Sequence, residues 1–472
     1  RFNGELGVNV GDGLSIDSDN TLNTNIGEGL KLDADDNIYV IKHVFDTVAD
    51  MKASTDLVNG DYARTLGFHT INDGGGALYK ITNTGTANEI DVISIGSLYA
   101  NLCHIETMNL KQFGAYGDNN HDDTSALSAA LDFVKLHKAI LYVPTGNYLI
   151  SNEFVIDWQL NIYGDGKYTS KIKQTNTDKH IFVISYVACL IKDLCLEGVE
   201  SSTSSLIQIS ATDGHNFSNT IQGCEFHGAN QTGYGIELVC PSTYGIMNTT
   251  IKNCVFRHLY NGIRFNINSG WINGNLFENI WVYDTVNGIE WPETTSLKSC
   301  AVNTFNSIKG QYSAGCNSLI YNVNGWDNSF SDIMMWDGGI NIQVGYYAQY
   351  TKIKNTPLFV YTKFVDHGWH TEIDTFYGDL TRAKYVEKTL NFLIDTEGLE
   401  ANTTNGNSPA LGIISNNPAC SVSTVATVDD SIALQGKGFN LLGVGKQMLN
   451  FSIRVDNISN IKLYLGLATP VY

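Results

Sequence analysis

The chain has 472 residues, 45 Gly, 7 Pro, only 16% charged residues and a net charge of −19. So long a chain exceeds one compact core and calls for several domains or an elongated solenoid. The acidic balance excludes nucleic acid or an anionic membrane as a partner met through a basic surface, and no stretch approaches the roughly 18 apolar residues of a membrane span.

Residues 1–40 read as a fibre- or shaft-like repeat. Gly11-Asp12-Gly13-Leu14-Ser15-Ile16-Asp17 returns 16 residues on as Gly27-Glu28-Gly29-Leu30-Lys31-Leu32-Asp33. Each unit alternates apolar and polar residues, then turns at Ser18-Asp19-Asn20 or Asp35-Asp36-Asn37. One such thread has too little core to fold alone, so copies from several chains are expected to wrap together. The acidic turns lack the spacing and closing Glu of a calcium loop. The chain opens at Arg1 inside a repeat, as a fragment without its native N-terminus is expected to do.

Residues 41–109 form a small separate module. A helical piece is expected at Val44–Met51, and Asp73-Gly74-Gly75-Gly76-Ala77-Leu78-Tyr79 reads as a tight turn entering a strand. It has neither the Lys-Ser/Thr nor the helix of a phosphate loop.

Then come Phe113-Gly114-Ala115-Tyr116-Gly117-Asp118 and Asp122-Asp123-Thr124. Ala126, Leu127, Ala130, Leu131 and Val134 have helical period, with Asp122 or Asp123 as N-cap. Strand Ile140–Val143, the turn Pro144-Thr145-Gly146-Asn147 and Tyr148-Leu149-Ile150 follow. An amphipathic helix placed just before the first coil covers the open end of a solenoid.

From about residue 140 to 380 a phrase recurs at coil length. Gly235-Ile236-Glu237-Leu238 returns as Gly262-Ile263-Arg264-Phe265, Gly288-Ile289-Glu290-Trp291 and Gly339-Ile340-Asn341-Ile342, in steps of 27, 26 and 51. A second phrase runs beside it: Leu196, Phe226, Phe256, Phe277, Phe305 and Phe330 each precede an apolar or small residue by three positions. The spacers are polar, among them His258, Asn279, Ser307 and Asp332. Strand, polar bend, strand fits a parallel β-helix of roughly nine coils. The nine cysteines form no close CxxC pair, and Cys224 and Cys254 occupy equivalent places in successive repeats. They read as stacked core thiols, and neither a metal site nor a cofactor is expected.

The order Phe-Gly-Ala-x-Gly-Asp, Asp-Asp-Thr, helix, Tyr-Val-Pro-x-Gly-x-Tyr resembles the opening signature of the pectate-lyase-like right-handed β-helices. The module and fibre repeat before it resemble tail spikes and appendage proteins of phages of Gram-positive hosts. The overall reading is all-β: a right-handed parallel β-helix over 110–387, preceded by the fibre-like repeat and small module. A truncated β-sandwich-like cap is expected over 388–472, with strands at Leu411–Ile414, Ser421–Val428, Ser431–Leu434, Leu449–Val455 and Ile461–Leu467. The resemblance implies a homotrimer, a place in the virion, other tail proteins as partners and a host cell-surface glycopolymer, teichoic acid or capsular polysaccharide, as target. It supplies no catalytic positions, because no catalytic motif of pectate lyases or polygalacturonases is present.

The repeat itself nominates residues. The middle positions of the first phrase form one outward column: Gln208, Glu237, Arg264, Glu290, Tyr321, Asn341. Glu237 and Glu290 fall two coils apart, roughly 10 Å between backbones, near the spacing that admits a water in an inverting glycosidase. Arg264 between them suits a uronate or phosphate; the alternative is a charge ladder that only stabilises the face. Trp281, Tyr283 and Asp284 are expected in the loop between the phrases, with Trp336 and Asp337 in the matching loop two coils on. Rings beside carboxylates suit pyranose stacking. Trp291 is expected in the core. His227 and His258 read as turn residues. Glu237, Glu290 and Asp284 are thus the candidate catalytic groups, and Arg264, Trp281, Tyr283, Trp336 and Asp337 the candidate substrate contacts, of a depolymerase, more readily a hydrolase than a lyase. A non-enzymatic trimeric adhesin and a cellular polysaccharide lyase or hydrolase are the alternatives.

Overall fold

The structure, a computed structural model, describes residues 43–291, 300–311, 317–336, 339–356, 362–368 and 371–374, with short strands between 14 and 40 and between 385 and 436. It divides into two compact units, residues 1–144 and 145–472.

In the first unit each N-terminal repeat is an antiparallel pair. Leu14–Ile16 pairs with Leu22–Thr24, and Leu30–Leu32 with Ile38–Val40. The strands bracket the Asp/Asn-rich segments, which lie outside the described residues. The following module is a five-stranded sheet in the order His43–Phe45, Tyr62–Thr65, Leu78–Thr82, Leu98–Leu102, Val92–Ile95. The helix expected at Val44–Met51 is instead a strand to Phe45 and a helix at Val48–Lys52. Thr47 and Asp50 form a reciprocal capping box that sets the start four residues late. The triple-glycine segment is a turn closed on itself. The Asp73 carboxylate accepts the backbone N–H groups of Phe68, His69, Thr70 and Gly75.

The helix of this unit spans Thr124–His137 and buries Ala126, Leu127, Ala130, Leu131 and Val134. Asp123 stands at its N-cap, yet its buried carboxylate accepts from Tyr116 N–H at 2.7 Å and Gly117 N–H at 3.1 Å. Asp122 takes the helix's own amide, Thr124 N–H, at 2.9 Å. The two aspartates therefore divide the work: one closes the glycine-rich turn and the other caps.

The second unit is a parallel β-solenoid of about eight turns. Each full coil contributes to four strand ladders, two in each of two sheets. One coil shows the pattern: Thr220–Gln222 (ladder one), Glu225–His227 (ladder two), Tyr234–Cys240 (ladder three) and Gly245–Met247 (ladder four). Two of the four bends turn at single left-handed residues. Between ladders one and two they include Asp193, Gly223, Asn253, Asn279, Ser307 and Asp332. Asx and glycine residues tolerate this conformation, which turns a strand in one step. After ladder four the column runs Ala188, Ser218, Asn248, Gly274, Val302, Asp327.

Aromatic and aliphatic residues fill the interior in rows. Phe226 stacks on Phe256 at 4.8 Å, and Phe277, Phe305 and Phe330 stack at 4.6 and 4.7 Å, the spacing of the coils themselves. All five are fully buried, each contributing about 1.5–3 kcal/mol by removal from water. The glycine of the recurring phrase has a cause in this packing: a Cβ on Gly235 would lie 2.6 Å from the Phe256 ring. Trp291 is buried and stacked on Phe265 at 4.5 Å, as expected of a core residue. Cys224 and Cys254 are buried free thiols, as expected; burial and the neighbouring Cys254 push Cys224 far up.

Two expected columns differ from the observed ones. The phenylalanines are two rows rather than one: Leu196, Phe226 and Phe256 continue through Val282, whereas Phe277, Phe305 and Phe330 extend the row of Ile221 and Ile251. The step of 21 from Phe256 to Phe277 crosses from ladder two to ladder one. Asn341 does not extend the Glu237 column. Ile340 pairs with Ser318 and Ile342 with Ile320, so Asn341 falls on the buried side.

Along the corner before ladder one runs a buried polar stack. Asn275 N–H and Nδ2 donate to Asn303 Oδ1 at 3.0 and 2.9 Å, and Asn303 repeats both bonds to Asn328 Oδ1 at 3.1 Å. Thr249 N–H donates to Asn275 Oδ1 at 2.9 Å. Each side chain thus satisfies the backbone amide of the coil before it.

Beyond the solenoid, Leu399–Thr403 pairs antiparallel with Ile432–Gly436, and Ala419–Val422 pairs with Phe392–Leu393 and Leu411–Gly412. The strands expected at Leu449–Val455 and Ile461–Leu467 lie outside the described residues.

Candidate functional site

The expected Glu–Arg–Glu column exists. The register in ladder three aligns Gln208, Glu237, Arg264, Glu290 and Tyr321 on successive coils. Its groups are engaged with one another. Arg264 Nη1 donates to Glu237 Oε1 at 3.2 Å, and Asn266 Nδ2 donates to the same oxygen at 3.0 Å. Only 8% of the Glu237 side chain is exposed. The Arg264 guanidinium lies over the Tyr234 ring at 4.8 Å, and Asn287 Nδ2 donates to Glu290 Oε2 at 2.8 Å.

The rings lie elsewhere. Trp281 and Tyr283 belong to strand Leu276–Tyr283 in the other sheet, not to a loop, because that strand runs on without a break from ladder one into ladder two. Two outward lanes run along ladder two. One carries Lys171, Cys195, Glu225, Val255, Trp281, Lys309 and Met334; the other Lys173, Glu197, His227, Arg257, Tyr283, Gln311 and Trp336. Trp281 stacks on Tyr283 at 5.6 Å and on Trp336 at 5.7 Å. The three rings of the sequence reading therefore meet as one platform. Cations hold it from both sides: Arg257 lies 4.5 Å over Tyr283 and the Lys309 ammonium 5.4 Å over Trp281. Asp337 lies outside the described residues.

Where ladder two bends, the second lane opens into a groove of about 810 Å³, lined among others by Lys173, Glu197, His227, His258 and Asp284. Glu197 pairs with His227 across neighbouring coils. His258 and Asp284 follow Arg257 and Tyr283, themselves paired, so they too face each other across one coil step. Four successive coils thus present carboxylate, imidazole, imidazole, carboxylate. The two imidazole centroids are 5.4 Å apart. His258 and Asp284 both occupy the left-handed bend, at φ 53° and 44°. A Cβ on Gly228 would lie 2.5 Å from the His258 carbonyl oxygen, so glycine permits the close approach of these two coils.

The electrostatics differ within the lane. Burial pushes His227 below the ordinary imidazole range, against the pull of Glu197, so it is neutral near pH 7. Lys173 Nζ lies 2.8 Å from Glu197 Oε1. Glu225, only 8% exposed at its side chain, is pushed up by burial although Arg257 Nε stands 3.3 Å from its Oε1. Its Oε2 makes no hydrogen bond. No cluster of three or more His, Cys, Asp or Glu side chains suited to a metal occurs among the described residues.

Of the expected catalytic groups, Asp284 alone belongs to the groove. Glu197, His227 and His258 are its new members. Their signal was present in the sequence, one titratable residue at the close of each ladder-two strand, but reading one phenylalanine row for two hid the alignment.

Comparison with known proteins accords with this architecture. Residues 107–306 match the family model described as rhamnogalacturonase A/epimerase, pectate lyase-like. The fold is that of the enzymatically active domain of tailspike protein 2 of bacteriophage CBA120, at TM-score 0.52 and 15% identity, over 72% of this chain and 53% of that one. The tailspike gp42 of Acinetobacter phage vb_AbaP_AS12 is similar at TM-score 0.48 and 12% identity, over 70% of this chain and 57% of that one. The chain thus spans a little over half the length of these solved structures. None of the curated proteins matches the sequence significantly.

Proposed function

We propose that the protein is a phage tailspike component that binds a host cell-surface polysaccharide along ladder two and cleaves a glycosidic bond in the groove at its bend. One observation carries the reading: three rings, Trp281, Tyr283 and Trp336, stack across the two lanes of ladder two, and the lane of Tyr283 and Trp336 opens into a groove with two carboxylates and two imidazoles. Ring faces take the CH side of pyranoses, and a groove open along the coil axis accepts a chain rather than a single sugar. His227, neutral through burial, is suited to remove a proton from water. Asp284 supplies the acid function, and Glu197, ion-paired with Lys173, the hydroxyl recognition. In this reading Glu237 and Glu290 hold their sheet face, each bonded to its neighbours.

The test is incubation with purified capsular polysaccharide and, separately, teichoic acid of the host. Released oligosaccharides with new reducing ends are the expected result. An unsaturated end would make the enzyme a lyase. Retention of polymer without release would make the protein an adhesin.

A further inference from the structure

A second ring cluster lies on the other sheet, at the bend between ladders three and four. Gly245 pairs with Trp271, and His215 occupies the same column one coil earlier. The Trp271 ring folds back along this column. A Cβ on Gly245 would lie 2.2 to 2.4 Å from three of its ring atoms, so the ring rests on bare glycine backbone. It reaches His215, with centroids 5.4 Å apart. Tyr244, 37% exposed, stands edge-on to His215 at 5.3 Å and 84°. A second glycine holds the Tyr244 loop close: a Cβ on Gly270 would lie 2.1 Å from the Tyr244 carbonyl oxygen. His215 Nδ1 accepts Gly245 N–H at 3.1 Å. That bond leaves Nε2–H as the outward donor of this exposed ring.

We propose that Trp271, Tyr244 and His215 form a second carbohydrate subsite, separate from the groove, that takes a pyranose of a neutral glycan. Glycine backbone directly behind the Trp271 ring fixes it as a flat face. A sugar fits such a face through its CH groups, with hydroxyls at its edge to meet Nε2–H and the Tyr244 hydroxyl. Exposed Asp213, two residues before His215, disfavours an acidic sugar. A polymer held here and in the groove stays attached between cleavage events.

The probes are dextran, galactomannan and the polysaccharide cleaved in the groove assay, each cast into a native gel. Retardation of the wild type by at least one neutral polymer is expected. W271A should weaken it about tenfold, H215A and Y244A less, and W271F should keep part of it. Oligosaccharide release should stay within about twofold in all four, which separates this site from the groove. Wild type retarded by no neutral polymer, or equal retardation of wild type and W271A, would overturn the proposal. So would a change of sedimentation coefficient in the exposed variants H215A or Y244A, which would make this bend a contact between copies of the chain.

Discussion

Two outward faces of the same coils use charge in opposite ways. In ladder three, Glu237, Arg264 and Asn266 saturate one another, and Glu237 is nearly inaccessible. In ladder two, the cations Arg257 and Lys309 lie on ring faces, and the carboxylate–imidazole column stands along an open groove. Alignment of charged residues on consecutive coils therefore does not distinguish scaffold from site. What distinguishes them is access: the ladder-three carboxylate is buried under its partners, whereas the ladder-two column lines an open groove.

The strongest way to break this contrast is to neutralise each face in turn. H227N and D284N are expected to lower the rate of oligosaccharide release by about a hundredfold or more, the usual weight of acid–base groups. E237Q and E290Q should leave it within about twofold. Rates measured on one polymer preparation decide the matter; loss of release in E237Q with full release in D284N would exchange the roles of the two faces.

Stability should show the reverse order. R264A strands a buried carboxylate and is expected to cost about 2–3 kcal/mol in urea unfolding, discounted because the guanidinium itself is partly exposed. W281A should leave unfolding nearly unchanged yet weaken polymer binding about tenfold. Equal losses of stability in the two variants would erase the distinction.

The pH dependence sharpens the comparison further. His227 has a depressed value in the folded chain because burial disfavours its charged form. The unfolded state then binds more protons between the folded value and the ordinary imidazole value. Folding stability should therefore rise with pH through that window and level off above it. The acidic limb of the activity profile should lie below the ordinary imidazole range and vanish in H227N. Glu225 behaves oppositely: its raised value means stability is lost as pH rises from the ordinary carboxylate range through the folded value. E225Q should flatten that slope.

The smallest expected effect lies outside both faces. Val302, 58% exposed, holds φ 57°, a conformation that β-branched residues strongly disfavour. V302N should stabilise the chain by about 1 kcal/mol without altering binding or release. Any change in release would show that this bend communicates with the groove.

Much of this was legible in the sequence where steps were regular. The intervals of 27 and 26 residues aligned Glu237, Arg264 and Glu290 correctly, because ladder three keeps one register through those coils. The rings of the site were legible as a group because Trp281 and Tyr283 stand two residues apart and Trp336 lies on the matching segment two coils on. Their sheet was misread, because apolar, two polar, apolar describes both the step from ladder one to ladder two and the step from ladder two to ladder three. The groove was illegible for a related reason: His258 and Asp284 lie one residue past the strands that align Glu197 and His227, on left-handed bends. The asparagine stack was readable but missed. Asn-x-Phe occurs at Asn275, Asn303 and Asn328, each two residues before a stacked phenylalanine.

That stack also has a mechanical meaning. A parallel solenoid pulled from one end peels a coil at a time, since each coil is hydrogen-bonded chiefly to its two neighbours. Between Thr249 and Asn328 every coil is also tied to the next through a buried side-chain amide. Peeling should pause there, so force applied to the chain is borne by the coils that carry the ring platform.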